Sequence, residues 1–228
     1  MPELASIAIV VPAKNEAQFL KRCLESLRVL DYPQEKLEII VVDNCSEDET
    51  LAIAQSFPEV QALSHEGNIG ALRNFGAQQS NSELIAFLDA DCIPPTDWLQ
   101  IAVPQISDGV SVVSALIAVE QDHCPWIEQC WIEYLTSRHP EDVSVVKTIS
   151  SFCFVTSRKV MEDVGWFNED LQTCEDSDLG YRISQANGKL LVVKSISTVH
   201  LRNAKSVSEF FRRQVWQGSA NLRNMFGH

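Results

Sequence analysis

The sequence predicts an α/β fold, with a mostly parallel central sheet and helices on both of its faces. Short apolar segments alternate with helical patterns through the first half of the chain, and acidic residues follow these segments at their carboxyl ends. Strands that alternate with helices are typical of parallel sheets. Ligands of such sheets bind beyond the carboxyl ends of the strands. We therefore expect a ligand site at that edge of the sheet.

Four strands and three helices are predicted in the first half. The strands are expected at residues 6–11, 37–42, 60–63 and 84–88. Apolar residues at helical spacing predict a helix after the first strand, with Asn15 as its N-terminal cap. Ser46-Glu-Asp-Glu49 has the spacing of a capping box, which would begin a second helix that ends near Phe57. A third helix is expected at residues 70–79.

The pattern is less regular in the second half. We expect strands at residues 110–119, 150–155 and 190–199, and helices at residues 96–104, 125–138, 157–164, 175–186 and 207–226. The last of these helices carries aromatic and apolar residues beside three arginines. Because no repeat, low-complexity segment or linker divides the chain, we predict one domain.

Composition limits the class of protein. The chain has 228 residues, of which 45% are hydrophobic, which is enough for the core of one domain. A formal charge of -13 argues against nucleic acid as a partner, because that partner requires a basic surface. Seven cysteines without a Cys-x-x-Cys pair indicate reduced thiols in a cytoplasmic protein. No signal peptide and no apolar stretch of about 20 residues is visible.

The apolar segment at residues 84–88 is followed by Asp89-Ala-Asp91. In an extended segment, residues two apart face the same way. A hard divalent cation bound by one or two carboxylates takes its other ligands from water and substrate phosphates. The pair therefore indicates a metal and diphosphate site, although paired acidic residues also occur in solvated turns.

Two more acidic groups lie at the ends of predicted elements. Asp43 follows the second strand, where it is either a turn residue or part of a site. Glu175 and Asp176 precede an amphipathic helix. There they either stabilise the helix N-terminus by their charge or take part in catalysis.

Five motifs in a fixed order resemble family 2 glycosyltransferases. They are Val10-Val-Pro-Ala-Lys-Asn-Glu16, Val42-Asp-Asn-Cys-Ser-Glu-Asp-Glu-Thr50, Arg73-Asn-Phe-Gly76, Asp89-Ala-Asp91, and Gly165-Trp-Phe167 followed by Glu175-Asp-Ser-Asp-Leu179. The resemblance covers essentially the whole chain. It implies a GT-A fold, a nucleotide-sugar donor, a divalent cation (Mn²⁺ or Mg²⁺) and inversion at the anomeric carbon. It also implies a nucleotide-sugar-binding half at residues 1–92, an acceptor half at 93–205 and a C-terminal amphipathic helix at 206–228.

The resemblance assigns roles to individual residues. The donor would be bound by Pro12, Ala13, Asn15, Glu16, Asp43, Arg73, Asp89 and Ala90. Asp91 would bind the metal directly, and Asp89 would contact the ribose or a metal-bound water. His200 would complete the metal or diphosphate site, unless it is a structural residue. Asp176 would be the general base, with Glu175 as its nearest rival.

The partners follow from the same resemblance. The donor would be a UDP-, GDP- or dTDP-linked sugar, and the acceptor a carbohydrate, a lipid-linked molecule or a small molecule. Arg212-Arg-Gln-Val-Trp216 does not reproduce the Gln-x-x-Arg-Trp motif of processive synthases, which favours transfer of a single sugar. Further contacts to donor and acceptor are expected from residues 151–154, Trp166, Trp126, Trp131 and Tyr134, although aromatic residues on a helix also form cores.

The C-terminal helix has two interpretations. Its aromatic and arginine residues are compatible with an interfacial helix, which would place the protein at the inner face of the membrane. Alternatively, the helix packs on the domain.

Three other classes of protein are compatible with parts of the sequence. A non-catalytic nucleotide-sugar-binding protein would not need Glu175 and Asp176. A sugar-phosphate nucleotidyltransferase usually has a glycine-rich loop after its first strand, and residues 11–16 contain no glycine. A phosphoaspartate receiver would explain one acidic strand end but not the other motifs. Asn44 stands where related motifs often carry a second aspartate, which leaves the nucleotide base open.

Overall fold

The computed structural model describes residues 4–106, 109–120 and 124–215. The strands are β1 (Ile7–Ala13), β2 (Leu37–Asp43), β3 (Val60–Ser64), β4 (Leu84–Leu88), β5 (Cys92–Ile93), β6 (Val110–Ala118), β7 (Val143–Val146), β8 (Cys153–Ser157) and β9 (Lys189–His200). The helices are α1 (Leu20–Leu27), α2 (Thr50–Gln55), α3 (Ile69–Gln78), α4 (Trp98–Ala102), α5 (Trp126–Ser137), α6 (Arg158–Val164) and α7 (Glu175–Gln185). Short 3₁₀ turns cover Gln34–Lys36 and Val103–Gln105.

The first four strands form the parallel part of the sheet, in the order β3-β2-β1-β4. Every residue of β1 and β4 is buried, as the uninterrupted apolar sequence of these strands predicts. Asp43 is the last residue of β2, and Asp89 directly follows β4. The parallel arrangement therefore brings both carboxylates to one edge of the sheet, and the predicted α/β fold is confirmed.

The second half extends the same sheet with antiparallel as well as parallel pairs. β8 pairs antiparallel with both β4 and β6, while β9 pairs parallel with β6 and antiparallel with β5. The sequence did not predict β5 or β7. β5 has two residues, too few for a pattern. β7 has four residues, alternately exposed and half-buried, and pairs antiparallel with β9.

Two predicted helix starts are wrong. α1 begins at Leu20, five residues after Asn15, which has a left-handed backbone with a φ of 54°. The Asn15 side chain instead accepts a hydrogen bond from Glu47 N at 2.9 Å. α2 begins at Thr50, and Ser46 Oγ accepts a hydrogen bond from Asn15 N at 2.9 Å. Both polar side chains thus join the loops after β1 and β2 and cap no helix.

The sheet buries apolar residues on both faces. Ile7, Ile9 and Val11 face a core shared with α1 and α4, while Ala8 and Val10 face a core shared with α3, α6 and α7. α3 lies very close to the sheet at Gly76. A Cβ there would lie 2.5 Å from Val10 Cγ1 and 2.8 Å from Val42 Cγ2, so glycine is required for this approach.

The C-terminal helix is described from residue 207 to residue 215, and the rest of the predicted helix lies outside the described residues. Phe210 packs edge-on against Trp131 of α5, with the ring centroids 5.1 Å apart. Phe211 and Val215 are exposed. Among the described residues, no helix combines the length and apolar character that a membrane span requires.

Candidate functional site

The loops after β1 and β2 form one wall of the site. Ala13 and Asp43 are register partners at the ends of these strands, and Pro12 is buried beside them. Asp43 Oδ2 accepts a hydrogen bond from Ser46 N at 3.0 Å. Its Oδ1 is buried, and no hydrogen-bond partner for it is found among the described residues. A buried acceptor without a partner is costly, so Asp43 offers an oxygen suited to an N–H or O–H donor of a ligand.

Glu16 lies between this wall and the C-terminal part of the chain. Its backbone N–H donates to Thr50 Oγ1 at 2.7 Å, and its carboxylate pairs with Arg202. Burial raises the pKa of Glu16 to about 7, against the lowering effect of the Arg202 charge, and the charge of Asp91 adds to the increase. Glu16 therefore takes up a proton more readily than an exposed glutamate.

Arg73 is a buried cation at the centre of the site. Its side chain is 2% exposed, its Nη2 donates to Asp89 Oδ1 at 2.8 Å, and its Nη1 donates to Glu175 Oε1 at 2.7 Å. Nη2 also lies 3.4 Å from Ser151 O. One guanidinium thus links the end of β4 with the beginning of α7.

Asp89-Ala-Asp91 forms a turn and is not the extended segment that the sequence predicted. Cys92 N donates to Asp89 O at 3.0 Å, which closes the turn and buries Ala90. Asp89 remains partly exposed and is held by Arg73. The two aspartates consequently have different neighbours, although both lie at the same edge of the sheet.

Asp91 belongs to a cluster with Cys92 and His200. One ligand atom from each of these residues lies within 4.8 Å of the other two, and this is the cluster with metal-binding geometry found in the described part of the chain. Asp91 Oδ2 lies 3.7 Å from His200 Nδ1. His200 Nδ1 is buried without a hydrogen-bond partner among the described residues. A carboxylate oxygen beside an imidazole nitrogen without another partner fits a divalent cation.

Glu175 and Asp176 begin α7 but have different surroundings. Glu175 is buried and is held by Arg73 and by Ser151 Oγ, which lies 3.5 Å away. Asp176 is half-buried, and its Oδ1 accepts a hydrogen bond from Ser177 N at 2.7 Å. Burial raises the pKa of Asp176, the Glu175 charge raises it further, and the Arg73 charge opposes the increase. A raised carboxylate pKa is the property expected of a general base that works near neutral pH.

The aromatic residues predicted from the sequence have several locations. Phe152 lies beside His200, with the ring centroids 6.1 Å apart, whereas Phe154 packs in the core against Phe87. Trp166 lies against Arg158 on the α6 side of the domain. Trp126 and Tyr134 are exposed at 67% and 53%, and Trp131 stacks on Tyr134 with centroids 5.5 Å apart. α5 therefore presents an exposed aromatic surface, which is not part of the core.

Sequence reasoning missed two residues of the site. Arg202 pairs with Glu16, and its Nε lies 3.8 Å from Asp91 Oδ2. The sequence offered one signal for Arg202, which is that it lies two residues after the candidate ligand His200. Cys92 is buried in the core, as predicted for the cysteines, and the sequence did not indicate that it also lies in the cluster with Asp91 and His200.

Comparisons with known proteins agree on one family. The sequence model described as Glycosyl transferase family 2 matches residues 8–165. The chain is 28% identical over 230 residues to Glycosyltransferase AglE of Haloferax volcanii, which covers 96% of this chain and 74% of AglE. It is 25% identical to the Pre-mycofactocin glycosyltransferase of Mycobacterium tuberculosis, over 96% of this chain and 47% of that protein.

Solved structures share the fold. The mannosyltransferase PcManGT from Pyrobaculum calidifontis, in complex with GDP-Man and Mn²⁺, superposes with a TM-score of 0.76 at 19% identity, over 100% of this chain and 66% of that one. TarS of S. aureus in complex with UDP-GlcNAc has a TM-score of 0.67 at 21% identity, over 91% of this chain and 64% of that one. The chain thus spans about half to three quarters of the length of these four proteins.

Proposed function

Because this chain belongs to glycosyl transferase family 2 and has the GT-A fold, we propose that it transfers one sugar from a nucleotide-diphosphate sugar to an acceptor hydroxyl. The reaction inverts the anomeric carbon and depends on a divalent cation. The protein acts in the cytoplasm.

The contact of Arg73 with both Asp89 and Glu175 carries this proposal. Asp89 lies in the acidic turn on the donor side, and Glu175 precedes the proposed base. Since a single buried guanidinium holds both, the donor side and the base side have a fixed relative position. A protein that only bound a nucleotide sugar would not require Asp176, the carboxylate with a raised pKa that follows Glu175.

The cation is Mn²⁺ or Mg²⁺ and is held by Asp91 and His200. The buried His200 Nδ1, which has no hydrogen-bond partner among the described residues and lies 3.7 Å from Asp91 Oδ2, supports this assignment. PcManGT is in complex with Mn²⁺. When bound, such a cation supplies Lewis-acid stabilisation of the leaving diphosphate. Asp89, oriented by Arg73, is available for the ribose or for a water beside the cation.

The donor is a UDP-, GDP- or dTDP-linked sugar. Asp43 Oδ1 accepts a hydrogen bond from its base or ribose, because this buried oxygen has no partner in the described part of the protein. Pro12, Ala13, Asn15, Glu16 and Ala90 line the rest of the nucleotide subsite. The two solved relatives are in complex with GDP-Man and UDP-GlcNAc, which supports a nucleotide-sugar donor.

Asp176 is the general base. An inverting displacement requires one base on the side of the sugar opposite the leaving group. Glu175 is buried and its carboxylate is held by Arg73, so it is less accessible to an acceptor hydroxyl. Asp176 is half-buried and has a raised pKa, which suits removal of a proton from the acceptor hydroxyl.

The acceptor is lipid-linked or lies close to a membrane. α5 exposes Trp126 and Tyr134 and packs through Trp131 against Phe210 of the C-terminal helix, whose Phe211 and Val215 are also exposed. Exposed aromatic and apolar groups of this kind suit the interface of a lipid surface. The protein then contacts the inner face of the membrane peripherally.

A thermal-shift panel followed by product analysis tests the function. UDP-, GDP- and dTDP-sugars are compared with and without Mn²⁺, and the proper donor should raise the melting temperature only with the cation. That donor is then incubated with carbohydrate and lipid-linked acceptors, and nucleoside diphosphate and glycosylated product are quantified. A protein that is stabilised but forms no nucleoside diphosphate and no glycosylated product would be a binding protein and would overturn the proposal.

A further inference from the structure

The metal cluster contains a thiol that the proposed transfer reaction does not use. Cys92 of β5 and His200 of β9 are register partners in an antiparallel pair, so the sheet itself places these side chains together. Cys92 is fully buried, and its Sγ lies 3.8 Å from Asp91 Oδ1. The thiol therefore lies beside a carboxylate and an imidazole that are both candidate metal ligands.

The distances in the cluster are close to those of a tetrahedral zinc site. With Zn–N and Zn–O bonds near 2.0 Å and a Zn–S bond near 2.3 Å, tetrahedral geometry separates N from O by about 3.3 Å and S from O by about 3.5 Å. The structure has 3.7 Å between His200 Nδ1 and Asp91 Oδ2, and 3.8 Å between Cys92 Sγ and Asp91 Oδ1. These two distances involve different oxygens of Asp91. One ligand atom of each residue lies within 4.8 Å of the other two, so rotation of the carboxylate and a closer approach of the side chains, by about 1 Å at most, would place them around one ion.

We propose that Asp91, Cys92 and His200 form a Zn²⁺ site that competes with the Mn²⁺ or Mg²⁺ of the transfer reaction. A thiolate is a soft ligand that favours Zn²⁺ over Mn²⁺ and Mg²⁺, and affinity for nitrogen and oxygen ligands also rises from Mn²⁺ to Zn²⁺. Three protein ligands leave one position for water or a phosphate oxygen. Zn²⁺ bound at this site therefore inhibits the enzyme. The inhibition rests on the proposed function, whereas the zinc site itself does not.

Zinc binding changes two local contacts. The S–Zn bond replaces the S–H bond, and the thiol proton leaves to solvent, so the site releases one proton for each ion bound. Arg202 Nε, which lies 3.8 Å from Asp91 Oδ2, must move away from the incoming cation. Glu16 retains Arg202 as an ion-pair partner. This displacement opposes Mn²⁺ and Zn²⁺ alike, so the preference for Zn²⁺ comes from the ligands, and the thiol contributes most to it.

Neighbouring cysteines have other partners. Cys23 Sγ donates to Asp89 O at 3.8 Å, and Cys153 Sγ accepts from Thr198 Oγ1 at 3.4 Å. Cys45 and Cys130 are exposed and lie outside the cluster. Cys45→Ser is therefore the matched control for the loss of a thiol.

Cobalt spectroscopy on the full chain, without donor or acceptor, tests the site. Co²⁺ substitutes for Zn²⁺ and gives a near-ultraviolet charge-transfer band when a thiolate binds it. We expect this band in the wild-type protein and in Cys45→Ser, its loss in Cys92→Ser, and its removal by one equivalent of Zn²⁺. Calorimetry should show Zn²⁺ affinity at least about tenfold weaker in Cys92→Ser, with Mn²⁺ affinity changed less than about twofold.

Two outcomes overturn the proposal: no band in the wild-type protein, or an undiminished band in Cys92→Ser. Zinc-edge X-ray absorption of the wild-type protein gives an answer that does not depend on a variant's folding. One sulfur near 2.3 Å together with nitrogen and oxygen ligands supports the site. A shell of nitrogen and oxygen alone excludes it.

Competition is measured separately by the electron paramagnetic resonance of Mn²⁺. With nucleotide present, one equivalent of Zn²⁺ should release bound Mn²⁺ from the wild-type protein and release less from Cys92→Ser. Equal release from both contradicts the role of the thiol. If no Mn²⁺ binds the wild-type protein in the first place, the proposed metal-dependent function fails, while the cobalt result still decides the zinc site.

Discussion

Arg73 Nη1 donates a hydrogen bond to Glu175 Oε1 across 2.7 Å, although these residues lie 102 positions apart in the chain. The guanidinium is buried, and its second terminal nitrogen is held by Asp89. Two parts of the sheet's edge that are distant in sequence thus share one cation. This relationship makes both the stability and the geometry of the site depend on Arg73.

Arg73→Ala should lower the free energy of unfolding by about 3–5 kcal/mol, because it leaves Glu175 and Asp89 without their buried counter-charge. Urea denaturation measures the change. Lys159→Ala is the control, since it removes an exposed i,i+4 pair with Asp163 and should cost less than about 0.5 kcal/mol. Similar losses in both variants would mean that the buried pair adds no more than a surface contact.

Asp176→Asn should lower single-turnover transfer by about 10²- to 10⁴-fold and leave the affinity for donor and metal nearly unchanged. The amide preserves the shape of the side chain but cannot accept the proton. Glu175→Gln should instead reduce both stability and transfer, because it weakens the contact with Arg73. Near-normal transfer by Asp176→Asn, with a folded but inactive Glu175→Gln, would assign the base to Glu175.

The pH dependence of transfer gives a second test of Asp176 as the general base. Burial raises the pKa of this carboxyl above its ordinary value. A base must be unprotonated, so kcat should fall as the pH is lowered through a midpoint above about 4. A pH-rate profile with saturating donor and metal shows the midpoint. An acid limb that lies at or below the ordinary aspartate value would be inconsistent with this base.

Glu16 should make the metal-free protein less stable as the pH rises. Its pKa is near 7 in the folded state and 4.5 in its ordinary state, so between these values the folded protein holds a proton that the unfolded chain has lost. Stability then falls by up to about 1.4 kcal/mol per pH unit. Glu16→Gln should remove this fall, so the variant should gain stability relative to wild type from pH 5 to 7. If the denaturation midpoints of the wild-type protein and Glu16→Gln changed in parallel from pH 5 to 7, the role of Glu16 would be refuted.

Asp91→Asn should abolish metal-dependent donor binding, because the amide lacks the charge that a hard cation requires. Titration calorimetry with UDP or GDP in the presence of Mn²⁺ measures the affinity. Asp163→Asn, an exposed carboxylate on α6, should bind like the wild-type protein. Unchanged affinity in Asp91→Asn would remove this residue from the metal site.

Phe211→Ser should weaken co-sedimentation with anionic liposomes at low salt, because Phe211 is 64% exposed on the C-terminal helix. Val145→Ser is the matched control, since Val145 is 67% exposed on β7. If the wild-type protein does not bind above background, the helix has only a packing role. Equal binding by all three proteins would place the contact with lipid elsewhere.

The parallel half of the fold could be predicted because its strands are continuous apolar segments, each followed by a turn or helix. Asp43 and Asp89 were placed at one edge for the same reason. The helix starts near Asn15 and Ser46 were wrong, because these side chains bind each other's loops and such contacts depend on tertiary structure. A capping pattern in the sequence does not distinguish a side chain that caps a helix from one that bonds to a neighbouring loop.

The remaining site residues were harder to predict. The contact between Arg73 and Glu175 joins segments whose relative position depends on the antiparallel pairing of β4 with β8. Cys92 and His200 meet through a two-residue strand, which has no hydrophobic pattern of its own. The roles of Asp91, Asp176 and His200 followed from the resemblance of whole motifs, since single acidic residues and a single histidine have several structural explanations.

The pairing of β5 with β9 also has a consequence for the order of folding. The parallel strands β1 to β4 are complete by residue 88, whereas His200 is the last residue of β9. During synthesis the N-terminal strands leave the ribosome well before β9, and long-range pairings of this kind form slowly. A nascent chain that ends before β9 can thus form the nucleotide loops but has no imidazole beside Asp91. The ability to hold a cation through both residues arises only when the last strand of the sheet is in place.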